Sequence, residues 1–97
     1  MPTYLILATY TDQGIRNVKD SPKRAEAFRS LSEKMGARVK DLYWTMGRYD
    51  VAAVVEAPDH VTMNAILLSV GSLGNVRTET LPCITPQEMG QAIAKMP

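Results

Sequence analysis

The chain has 97 residues, 45% hydrophobic and 22% charged, with 11 basic and 10 acidic side chains and a net charge of +1. That length predicts one domain over residues 1–97 with a single modest core, and the composition excludes a disordered chain. The near-neutral charge gives no pull toward nucleic acid or an anionic membrane, and the lone cysteine, Cys83, excludes an intrachain disulfide and predicts a reducing, cytoplasmic setting.

The opening Met1-Pro2-Thr3-Tyr4 has no basic stretch ahead of its short apolar run, so it predicts a strand and not a signal peptide. Residues 3–11, rich in Leu, Ile, Tyr and Thr, suit a central strand. A polar loop containing Gly14 follows over residues 12–20. Ser21-Pro22 opens a helix, with serine as cap and proline at the first helical position. Ala25, Phe28, Leu31 and Met35 form its apolar stripe, and Gly36 ends it as a left-handed cap.

Residues 37–46 predict a second strand. Strict alternation puts Val39, Asp41, Tyr43 and Thr45 on one face and Lys40, Leu42, Trp44 and Met46 on the other. Gly47-Arg48-Tyr49 has the length of a hairpin connection. The third strand, residues 50–57, stops at Pro58, and Asp59 caps a helix that reaches about Leu73. That helix is apolar over a wide arc, but its Ala65–Leu68 run is far short of the roughly 20 residues that span a bilayer. Gly74-Asn75 ends it. Residues 76–84 form a fourth strand, and Pro82, which cannot donate to a ladder, predicts an edge position or an irregularity. Residues 86–95 suit a short terminal helix with a weak apolar stripe, interrupted by Gln87-Glu88 and Gly90-Gln91.

The order β-α-β-β-α-β, with right-handed crossovers, predicts an α+β, ferredoxin-like fold. It is a four-stranded antiparallel sheet with two helices on one face and strands one and three in the centre. A sheet wet on one side should alternate polar and apolar residues. The central strands do not. Tyr4, Ile6, Ala8 and Tyr10 take one face of strand one, yet Leu5 and Leu7 take the other; strand three divides Val51, Ala53 and Val55 from Ala52 and Val54. Leaving such a surface wet forgoes roughly 25 cal/mol for every Å². The expectation is a homodimer or higher homo-oligomer joined through the open sheet face.

Gly47-Arg48-Tyr49-Asp50 entering a Val/Ala strand, Glu56-Ala57-Pro58-Asp59 after it, and Gly71-Ser72-Leu73-Gly74-Asn75-Val76-Arg77-Thr78-Glu79-Thr80-Leu81 further on resemble the GYD-domain family. With the Tyr4 strand, the resemblance spans most of the chain. It implies a small ferredoxin-like domain of the dimeric α/β-barrel type and no assigned chemistry.

Gly47 and Asp50 suit hairpin work: glycine for a positive φ, aspartate for nearby amides. The functional alternative pairs Tyr49 with Asp50 in a pocket. Arg77 and Glu79 share a face of strand four and Glu56 ends strand three, so they serve either as an interface or edge salt bridge or as a polar cluster orienting a ligand. Lys23 and Arg24 occupy a first helical turn, where the dipole disfavours cations. With Arg16 and Lys19 upstream they are candidates for an anion site, although no glycine-rich phosphate loop accompanies them. His60 reads as a surface residue, and one His with one Cys offers no metal-ligand spacing. Cys83 reads as a packed or edge thiol. Trp44 and Tyr43 point to opposite faces.

Two classes of function follow. One is a binding or interaction module without catalysis. The other is a cofactor-independent enzyme of the dimeric α/β-barrel class, similar to small monooxygenases, which needs an apolar cavity behind the sheet with polar groups such as Tyr4, Trp44, Asp50 or Arg77. A third, an N-terminal-proline tautomerase, needs Met1 removed so that Pro2 becomes a base. No cofactor is expected.

Overall fold

The computed structural model describes every residue, Met1–Pro97. Its first half runs through β1 (Thr3–Tyr10), α1 (Asp12–Arg16), a 3-10 turn (Val18–Asp20), α2 (Ser21–Lys34) and β2 (Arg38–Trp44). The second half supplies β3 (Val51–Glu56), α3 (His60–Ser72), β4 (Val76–Cys83) and α4 (Pro86–Ala94). The sheet order is β2-β3-β1-β4 and every pairing is antiparallel. The two apolar strands are therefore central, and Pro82 sits on edge strand β4 opposite Tyr4, where its missing N–H costs no interior ladder bond.

Residues 12–20 are more ordered than a polar loop. The Thr11 side chain accepts from the Gly14 amide and caps α1. A Cβ at Gly14 would run into the Asn75 carbonyl, so glycine is what lets this turn close against the α3–β4 connection. Helix α2 also starts differently. Its N-cap is Asp20, which makes no side-chain cap bond, and Ser21 lies inside the helix with its hydroxyl engaged elsewhere. Gly36, at φ 81°, ends α2 in the left-handed conformation.

Strand β2 departs from strict alternation. A bulge between Val39 and Asp41 leaves Lys40 unpaired, so Val39 opposes Val55 while Leu42 and Trp44 oppose Ala53 and Val51. Val39, Leu42 and Trp44 consequently share the helix-facing side, and Asp41 and Tyr43 face away. The extra residue reverses the pleat, which period-two reading cannot anticipate.

The side chains beneath the helices are unevenly distributed. Tyr4, Val39, Val55, Ala57, Met63 and Ile66 form a packed cluster at one end of the sheet. At the other end the sheet contributes the row Trp44–Val51–Ala8–Thr78, small or only part-buried, and the two main helices leave a gap above it. Opposite the helices, Leu5, Leu7, Ala52 and Val54 form an apolar centre, extended by Leu81 and Tyr43, which are 44% and 62% exposed. Helix α4 adds no buried residue to either side. Its Thr85–Glu88 capping box is complete, and Met89, Ile93 and the following Met96 expose a more one-sided apolar edge than Gln87-Glu88 and Gly90-Gln91 led us to expect.

Candidate functional site

The gap is a cleft of about 490 Å³. Ile6, Ala8, Val51 and Ala53 floor it because small and β-branched residues occupy the helix-facing positions of β1 and β3. Phe28 and Leu31 of α2 form one wall; Leu67 and Val70 of α3, with Leu73 just past its end, form the other. Trp44, 48% exposed, lines it from β2, brought to this face by the bulge. Its size is that of a small-molecule pocket, which typically measures about 300–1,000 Å³.

One corner is polar. The Tyr10 and Ser21 hydroxyls are 2.8 Å apart. Arg24 donates to Ser21 Oγ at 3.1 Å, to the Gly14 carbonyl at 3.3 Å and to the Asn17 carbonyl at 3.0 Å. Ser21 is buried, so its two partners satisfy a hydroxyl that would otherwise be orphaned. All three acceptors of Arg24 are neutral, and it is the one charged residue lining the cleft.

The structure spreads the other sequence candidates apart. Tyr4 is buried in the packed cluster, its hydroxyl 2.5 Å from His60 Nδ1 and its ring edge-on to the imidazole at 5.6 Å. His60 is exposed on its outer side but is not a bystander. Asp50 ties the hairpin to β1: its carboxylate accepts from the Tyr10 amide at 2.8 Å and its own amide donates to the Ala8 carbonyl at 2.8 Å. Gly47, at φ 120°, lies in the turn that joins β2 to β3. Tyr49 does not bond Asp50. It donates to Glu79 Oε2 at 2.7 Å across the open face. That bond, with the nearby negative charge, raises the Tyr49 pKa, since ionisation would break it.

Glu56 is in register with Thr3 and Glu79 with Leu7, four residues along β1, roughly 13 Å at strand spacing. Arg77 lines a separate shallow hollow beside α3. These three charges do not converge. Of the four cations near α2, Arg16, Lys19 and Lys23 are exposed and only Arg24 reaches the cleft. Of the residues named from sequence, then, the cleft collects Trp44 and Arg24. Sequence reasoning missed the convergence of Tyr10, Ser21 and Arg24. Its one legible sign was Tyr10 continuing the inward row of Ile6 and Ala8 just ahead of the misplaced cations. No group of three or more His, Cys, Asp or Glu is arranged to hold a metal ion. No helix is long and apolar enough to cross a membrane.

Fold and site together define a small ferredoxin-like α+β domain with an apolar cleft between sheet and helices and a bare apolar sheet face opposite. The GYD domain model matches residues 4–93, and the chain belongs to the GYD-domain family. A Thermus thermophilus protein named "Glutamine synthetase and cystathionine beta-lyase binding protein" is 39% identical over 85 residues, 87% of this chain and 90% of that protein. Among solved structures, the leucine response regulatory protein of Mycobacterium tuberculosis superposes with a TM-score of 0.66 at 18% identity. The match covers 87% of this chain and 51% of that one, so this chain spans about half the regulator's length. A hypothetical protein of Pyrococcus horikoshii matches with a TM-score of 0.55 at 20% identity, covering 88% of this chain and 92% of the other. At such identities these two likenesses concern the fold.

Proposed function

We propose that the protein is a homo-oligomeric interaction domain whose subunits pair through the sheet face opposite the helices. The observation that carries this reading is the unbroken apolar patch of Leu5, Leu7, Ala52, Val54, Leu81 and Tyr43. Hydrophobic burial is the dominant drive for association, and contiguous apolar patches of this kind mark interfaces. A twofold axis through the patch would set it against its own copy. The Thermus relative is named for binding two enzymes, which supports protein interaction as the role and makes enzymes of those two types candidate partners here. A cytoplasmic setting, in keeping with the exposed thiol of Cys83, belongs to the same proposal.

Light scattering tests the association. Wild type should show a mass of two or more subunits at micromolar concentration. Leu5→Glu, which sets a charge in the centre of the patch, should shift the mass toward one subunit while circular dichroism stays unchanged. A wild-type mass of one subunit at every concentration would sink the proposal.

The cleft favours a second reading beside the first, a small-molecule site within each subunit. Its lining supports binding more than turnover, because Tyr10 and Arg24 are its only ionisable groups, and His60 and Cys83 lie outside it. Turnover without a cofactor, as in the monooxygenase-like alternative, would draw on this same cleft. Pro2, exposed and with its carbonyl accepting from the Ala57 amide, is not part of it.

A further inference from the structure

We propose that the cleft takes an amphiphilic monocarboxylate, its hydrocarbon part lying over Ala8 and Ala53 and its carboxylate meeting Arg24. The inference rests on the reading of the cleft as a ligand site and names the ligand's chemical class. An all-apolar ligand would suit the floor and walls equally well, so the charge at the corner is what decides the class.

Arg24 is half-buried, and its guanidinium is held by the Gly14 and Asn17 carbonyls and by Ser21 Oγ. Those contacts fix its geometry and leave its charge uncompensated. They engage Nη1 once and Nη2 twice, so Nε–H and a second Nη1–H remain for another acceptor. Nε and Nη1 lie on opposite sides of the guanidinium plane's long axis, so each free N–H offers a carboxylate oxygen a single charge-assisted bond, about twice as strong as a neutral one. Ser21, at 7% exposure, is locked between Tyr10 and Arg24, which holds the cation on the cleft wall. An anion of higher charge fits less well. Lys23, Lys19 and Arg16 are all turned to solvent, and none lines the cleft to neutralise a second charge. No acidic residue lines the cleft to repel the ligand.

Trp44 is the only tryptophan and lines the cleft, so its fluorescence reports occupancy. The full chain is titrated with decanoate and, separately, with decanol, which shares the hydrocarbon and lacks the charge. Both should give saturable changes, with decanoate at least about tenfold tighter. Arg24→Gln should bring the two to parity, Arg24→Lys should keep part of the preference, and Lys23→Gln should keep all of it. Parity in wild type, or a preference that survives Arg24→Gln, would overturn the carboxylate assignment and leave the cleft as a ligand site. No saturable response to either probe would overturn the cleft reading itself. The wild-type comparison decides between these outcomes even where Arg24→Gln does not fold.

Discussion

Asp59 shows what one well-placed side chain does in this chain. It caps α3 by accepting from the Thr62 amide at 2.7 Å. That backbone bond, with a smaller contribution from the Thr62 side chain, holds its carboxyl below the usual carboxylate range. A depressed folded-state pKa contributes stability that is present above the unfolded value of about 4 and lost as pH falls through the folded one. Asp59→Ala should therefore lower the melting temperature near pH 7, and the gap to wild type should close below about pH 4. Asp59→Asn, still a good cap, should lose less. Thermal melts followed by circular dichroism across that range check it, and a gap of equal size at both ends would contradict the assignment. Tyr49 has the opposite sign. Its raised pKa makes the contact with Glu79 count below about pH 10 and fade as pH rises through the folded value.

Elements differ in how firmly they are tied down. The bulge at Lys40 turns Leu42 and Trp44 inward and so gives the cleft its β2 side. The short α1 is held through Thr11, whose hydroxyl donates to the Gly74 carbonyl at 2.6 Å, and through Gln13, whose amide donates to the Leu73 carbonyl at 3.1 Å. Helix α4 has no such anchor. It is nine residues long with no buried residue, whereas isolated helices below about 12–15 residues are marginal in water. Its capping box is local, and its apolar edge of Met89, Ile93 and Met96 is exposed. Removing residues 86–97 should leave the melting temperature of dilute protein unchanged. A clear drop, measured by the same melts, would mean that α4 supports the subunit after all.

For the whole molecule, the sheet is a partition. Its helix side is packed at one end and hollow at the other, and its bare side is apolar in the centre. The proposed ligand site and the proposed pairing surface therefore lie on opposite faces of β1 and β3, on alternate residues of the same strands. If subunits pair through the bare face, association is linked to folding, because anything that binds only the folded state stabilises it by mass action. The melting temperature should then rise with protein concentration. Calorimetry over about a hundredfold range checks this, and an invariant value would argue that each subunit folds without a partner.

Local chemistry is legible along the chain wherever its cause lies within a few residues. Pro58 and Asp59 mark the end of β3 and the cap of α3, Gly36 ends α2, Pro82 consigns β4 to an edge, and the apolar residues on both faces of β1 and β3 place them centrally. The βαββαβ order follows from those signals, since strand and helix periods are properties of neighbouring residues. The bulge in β2 escaped because an unpaired residue is defined by its partner strand and not by its own sequence. The contacts of Tyr4 with His60 and of Tyr49 with Glu79 join residues 56 and 30 positions apart, and Tyr10 meets the Asp50 carboxylate across 40. The cleft is a more extreme case. It is a space left between helices and sheet, shaped by packing, so only the folded chain could show that Tyr10, Ser21 and Arg24 share one corner of it.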